Sequence, residues 1–152
     1  MNLDQISVID NPNRDDVRWL GDQLDAFNAA RTGIDDGRYL AIFLRDDDAQ
    51  IVAGLFGWTW GDTCEVRTLW VHESWRGRGV GSRFLQAEEA EARARGARQI
   101  VLDTHSFQAP DFYRHFGFAR IGEVEEYPRG HTKIFMRKKI YLKLIIAGIA
   151  FA

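Results

Sequence analysis

The run Arg76-Gly77-Arg78-Gly79-Val80-Gly81, followed by Ser82, decides how the chain is read. Before it stands Thr68-Leu69-Trp70-Val71, β-branched and aromatic, which reads as the end of a strand. After it the period changes: Val80, Phe84, Leu85 and Ala92 fall on one helical face, while Arg83, Gln86, Glu89 and Arg93 fall elsewhere. The unit is strand, glycine-rich turn, helix. The first amides of such a helix have no intrahelical partner and carry the positive end of its dipole, so they suit an anion. Glycines at 77, 79 and 81 permit positive φ and close approach of the backbone, and Arg76 and Arg78 add forked cationic donors. A pyrophosphate is the guest this chemistry predicts.

Two familiar glycine-rich loops do not fit. The run lacks the Gly-Lys-Ser/Thr ending of a nucleotide P-loop and the G-x-G-x-x-G spacing of a dinucleotide fold. It does match R/Q-x-x-G-x-G/A through Arg76, Gly79 and Gly81. A second segment, Ala109-Pro110-Asp111-Phe112-Tyr113-Arg114-His115-Phe116-Gly117-Phe118, matches A-x-x-F/L-Y-x-x-x-G-F/Y. In these two segments, and in their order, the chain resembles the GNAT superfamily of N-acetyltransferases, with a likeness running from about Ile6 to Ile140.

Composition is consistent with that resemblance. A chain of 152 residues with 45% hydrophobic content can bury the core of one compact domain. A formal net charge of -2 with interleaved signs gives no basic footprint, so nucleic acid is not an expected partner. Cys64 stands alone, which excludes an intramolecular disulfide and suits a reducing, cytoplasmic compartment. Met1 to Asp10 has no basic stretch followed by a long apolar run and is not expected to be a signal peptide.

In chain order, Ile6 to Ile9 reads as a short strand. A helix follows, with Asn13 as cap, Asp15 and Asp16 in the first turn, and Val17, Leu20, Leu24 and Phe27 on one face. Tyr39 to Leu44 and Ile51 to Trp60 form a hairpin around Asp46-Asp47-Asp48-Ala49, and Cys64 to Val71 continues the sheet. Phe56, Trp58 and Trp60 share one face of their strand, as part of the core or as the wall of an acceptor cleft. After the central helix, Gln99 to Asp103, Phe118 to Val124 and His131 to Arg137 read as strands. The fold class is α/β: a single-domain, mixed and mostly antiparallel central sheet flanked by helices, in the order β-α-ββββ-α-β-α-ββ. The domain spans 1–140. Residues 141–152 are an apolar extension, too short to span a bilayer, which packs on the domain, docks a second copy in a homodimer, or is an appended tail.

The resemblance implies direct transfer of an acetyl group from acetyl-CoA to a primary amine, here of a small molecule, with no metal and no membrane partner. A protein amino terminus or lysine is the alternative acceptor, and a silent acyl-CoA sensor the alternative class. Arg76, Gly77, Arg78, Gly79, Val80, Gly81 and Ser82 would hold the pyrophosphate. The backbone at Leu69, Trp70 and Val71 would pair with pantetheine and polarise the thioester oxygen. Relatives often carry asparagine where this chain has Ser106, so that contact is weaker or made differently. Tyr113 occupies the position of a general acid beside the coenzyme sulfur. Glu65, eleven residues before Arg76, stands where histone-acetyltransferase relatives keep a general base. Glu65 also shares a strand face with Arg67, so a solvated ion pair explains it equally well, and His72, Glu73, Asp103 and His105 are rival bases. The acids Glu123, Glu125 and Glu126, with Trp58, Trp60 and Tyr127, could attract a cationic amine or form a solvated rim.

Overall fold

The computed structural model describes residues 6–141. The chain divides into two compact units, Met1–Asp35 and Asp36–Ala152. In the first, helix α1 spans Arg14–Thr32. The Asn13 side chain accepts from the Asp15 amide, and Gly33, at φ 71°, closes the other end. Residues 6–9 are not a strand. A run of four β-prone residues makes a strand only where another strand pairs with it, and these have none among the described residues.

The second unit is a six-stranded sheet built from β1 (Arg38–Arg45), β2 (Ile51–Trp60), β3 (Thr63–Val71), β4 (Gln99–His105), β5 (Ala119–Val124) and β6 (Lys133–Lys139). Its strand order is β1-β2-β3-β4-β6-β5. Among the described residues only β3 and β4 run parallel, and the other pairs are antiparallel. Helices α2 (Val80–Ala94) and α3 (Pro110–His115) complete the unit. Three strands, not four, separate α1 from α2. The last strand begins at Lys133 rather than His131, because a turn holds the chain before it: the Tyr127 amide donates to the His131 carbonyl and the His131 amide to the Pro128 carbonyl, each at 2.9 Å. Among the described residues no helix is long and apolar enough to cross a membrane. The extension at 141–152 lies, apart from Tyr141, outside the described residues.

One face of the sheet carries the core. Strand alternation sends Leu55, Cys64, Val66, Ile100, Leu102, Ile134 and Met136 to it, where Phe84, Leu85 and Ala92 of α2 are also buried. Phe56 and Trp60, being on the opposite parity of β2, stay out of this core, and Tyr39, Phe56 and Trp58 instead form an aromatic row. A register shift opposes Phe56 to Thr68 and Gly57 to Val66, which leaves Arg67 as the extra residue of a bulge. The bulge brings two backbones so close that a Cβ on Gly57 would meet the Glu65 carbonyl oxygen at 2.0 Å. Only glycine fits there.

Within the core, Glu88 of α2 is 1% exposed, and its Oε1 accepts from the Cys64 thiol at 3.0 Å. Its Oε2 has no hydrogen-bond partner among the described residues. Burial lifts this carboxyl to about 7, with the Glu89 charge adding to the rise while the thiol and Lys138 oppose it. Burial, together with Glu88, likewise pushes the Cys64 thiol up, so this cysteine is a packed thiol rather than a nucleophile. A carboxyl raised on folding binds its proton more tightly in the native state, so it removes stability as pH rises from about 4.5 to about 7. Glu88→Gln should abolish that fall, on the order of 3 kcal/mol, in urea unfolding measured across this range. Parallel pH profiles for the two proteins would contradict the assignment.

Candidate active site

β3 and β4 pair only from Thr63 with Gln99 to Val66 with Leu102. Both strands continue, β3 along β2 and β4 along β6, so beyond the Arg67 bulge they diverge. A cleft of about 1230 Å³ opens in the wedge. Its walls are Leu69, Trp70 and Val71 of β3, Asp103 and His105 of β4, the glycine loop with the start of α2, and Phe112 and Tyr113 of α3. Both sequence segments therefore meet at one site.

The β3 edge of the wedge has a definite polarity. The His72 amide donates to the Val52 carbonyl at 2.9 Å, and Trp70 lies opposite Gly54 two residues back. Antiparallel strands alternate hydrogen-bonded and open pairs, so the Trp70 amide belongs to the β2 ladder, while those of Leu69 and Val71 point into the wedge. The Val71 carbonyl on this open edge accepts from Arg76 Nε at 3.0 Å, which ties the loop to the strand. Of the three residues read from sequence, two offer free amides.

At the loop, Gly77 and Gly79 adopt φ of 70° and 76°. Gly79 is the N-cap of α2 and offers no side-chain bond, so the first amides of the helix are left for a ligand. Arg76, Gly77, Gly79, Val80, Gly81 and Ser82 line the cleft. Arg78 is not among the lining residues; its guanidinium lies over the Trp75 ring at 5.2 Å. Ser106 also lies off the wall. Its Oγ accepts from the Thr132 amide at 3.1 Å and its own amide donates to the Thr132 carbonyl at 2.8 Å, pinning the end of β4 to the approach of β6.

Tyr113 is buried, with its ring edge-on to Phe112 and Phe118. Burial, aided by the Asp103 charge, pushes its phenol up to about 12. Asp103 answers two cations, Lys133 Nζ at 3.1 Å and Arg67 at a looser 3.7 Å. Glu65 lies deeper on β3, opposite Trp58 and Val101, and is not a lining residue. Burial raises its carboxyl, Arg67 pulls it down and Asp103 pushes it up. His72 and Glu73 are also outside the lining. Of the acids and aromatics considered for an acceptor, Tyr127 alone lines the cleft, joined by Arg67, Phe107, Pro128 and Lys133. Glu123 pairs with Arg120, and Glu126 accepts from the Gly130 amide at 3.0 Å. Sequence reasoning missed Gln108; the signal for it was an amide side chain three residues after a strand-end histidine, close enough to turn back on it. Among the described residues no cluster of three His, Cys, Asp or Glu could hold a metal.

Comparison with known proteins agrees with this geometry. A family model for the acetyltransferase (GNAT) domain matches residues 38–120. The chain is 36% identical to the acetyltransferase Atu2258 of Agrobacterium fabrum over 79% of this chain and 88% of the relative. It is 32% identical to the blasticidin-S acetyltransferase of Streptomyces morookaense over 72% of this chain and 84% of that protein. A solved acetyltransferase from Bacillus cereus superposes with a TM-score of 0.72 at 29% identity, covering 88% of this chain and 98% of the other.

A β-branched residue at φ 76° would have to abandon the left-handed cap that presents the α2 amides. Gly79→Val should weaken acetyl-CoA binding at least about tenfold by calorimetry in a folded variant. Unchanged affinity would take the pyrophosphate away from this loop.

Proposed function

The chain belongs to the GNAT family of acetyltransferases, and from that premise we propose that it moves the acetyl group of acetyl-CoA directly to the primary amine of a small molecule. One observation carries the reading: the uncapped start of α2, the two free β3 amides and the buried phenol of Tyr113 all face a single cleft. That spacing suits one extended guest. Its pyrophosphate lies on the amides of residues 80–82, its pantetheine runs along the open edge of β3, and its thioester ends near Tyr113. An amide of Leu69 or Val71 donates to the thioester oxygen as that oxygen gains charge, which is where a fixed donor lowers the barrier most.

A small acceptor is supported by the aromatic wall that Phe107 and Tyr127, with Pro128, give the cleft beside His105, and by the relative named for blasticidin-S. Holding the amine against the thioester contributes through proximity and orientation.

A phenol at about 12 stays protonated through the neutral range and is always available as a donor. Full transfer of its proton to a thiolate of ordinary acidity, pKa about 8.5, is uphill by roughly 5 kcal/mol. The hydrogen bond to the departing sulfur therefore carries most of its effect, and a bond to a charged group is worth about 1.5–3 kcal/mol. Tyr113→Phe keeps the ring packing and should lower kcat about 10- to 100-fold with acetyl-CoA affinity nearly unchanged. Single-turnover transfer across a panel of amines measures this. A variant at the wild-type rate would remove Tyr113 from the chemistry, and a wild-type protein that acetylates no amine would remove the transferase reading itself.

A further inference from the structure

We propose that His105 is the general base of the transfer, taking the acceptor's proton at Nε2, and that Gln108 is the positioning residue that fixes its tautomer. This rests on the acetyl-transfer reading above. His105 ends β4 on the wall of the cleft, on the same strand parity as Asp103. Its own backbone amide donates to Gln108 Oε1 at 2.8 Å. A backbone amide only donates, so the Gln108 atom facing it is the carbonyl oxygen. That oxygen only accepts, and it lies 3.2 Å from His105 Nδ1, so Nδ1 carries a hydrogen. In the neutral ring the lone pair is then on Nε2, which has no protein partner among the described residues. The Thr104 hydroxyl donates to the same Gln108 oxygen at 3.3 Å and holds the amide in place.

The ring is also held by stacking. His105 lies nearly parallel to Phe107, with centroids 5.2 Å apart, and to Tyr127 at 5.6 Å. The charged and titratable groups around it argue for the same role. Lys133 of β6 is its register partner, Arg67 of β3 lines the same wall, and His131 meets Phe107 edge-on at 4.8 Å. The carboxylate of Asp103 faces the cations of Lys133 at 3.1 Å and Arg67 at 3.7 Å, which hold it as a charged partner, whereas Nε2 of His105 is turned to no protein group among the described residues. Glu65, the base expected from the family, does not line the cleft.

In the step itself the amine nitrogen bonds to the thioester carbon, the nitrogen's proton passes to Nε2, and the carbon–sulfur bond breaks. The thiolate leaves hydrogen-bonded to Tyr113 and is protonated from solvent, and the imidazolium returns its proton to solvent. The sum is an amide and a free thiol.

The test is single-turnover acetyl transfer with the best acceptor of an amine panel, followed across the neutral pH range so that the amine's own titration is common to every variant. His105→Gln should lower the rate about 10²- to 10⁴-fold, flatten the enzyme's acid limb and leave acetyl-CoA affinity within about twofold. Gln108→Glu keeps an acceptor on Nδ1 and adds negative charge, so it should move the acid limb to higher pH while retaining much of the rate. Gln108→Leu should lower kcat with KM little changed, as a merely structural residue would not. A His105→Gln protein that keeps both rate and limb, or a Glu65→Gln protein that loses the limb while His105→Gln retains it, would overturn the proposal. An inactive wild type would overturn the transferase reading, so the two failures are distinguishable.

Discussion

β3 and β4 share a ladder for four residues each and then go separate ways, and the rest of the site follows from that short parallel pairing. Below the parting, Cys64 and Val66 face the core beside Ile100 and Leu102, and burying these side chains fixes the two strands to each other. Above it, each strand already has a partner on its outer side, so neither is obliged to close the gap. The open edge of β3 keeps amides that a buried backbone must satisfy with something, and an extended ligand with its own amides is the natural complement. The Arg67 bulge sits at the last shared pair and adds the twist that parts the strands.

The same divergence sorts the ionisable groups. Tyr113 lines the cleft from α3 and is buried, which keeps its phenol protonated. His105 and Asp103 line the same cleft from β4. Glu88 and Cys64 lie in the core and outside the cleft lining, and bear on stability rather than chemistry.

Much of this was legible in the sequence, for physical reasons. The glycine loop and α2 were readable because a change of period and three closely spaced glycines are local signals. The Asn13 cap followed from capping chemistry. Other features depend on tertiary pairing. No local property separates Ile6–Ile9 from a true strand. That the Trp70 amide is spent on β2 while its neighbours' amides are free depends on the ladder register, which the Arg67 bulge shifts. Spacing from the loop pointed to Glu65, which stands among the shared β3–β4 pairs and off the cleft lining, a position that spacing along one strand does not reveal. The return of Gln108 Oε1 onto the His105 amide and Nδ1 is a contact that no periodicity records.

The alternation of free and paired amides along β3 is where the account is most exposed. Residue-resolved hydrogen exchange with and without acetyl-CoA reads it directly. Bound coenzyme should slow exchange at Leu69 and Val71 and at the first amides of α2, while Trp70, already held by Gly54 in the β2 ladder, changes little. Protection gained at Trp70 but not at its neighbours, or no change along this edge despite saturating coenzyme, would contradict the wedge as the coenzyme site.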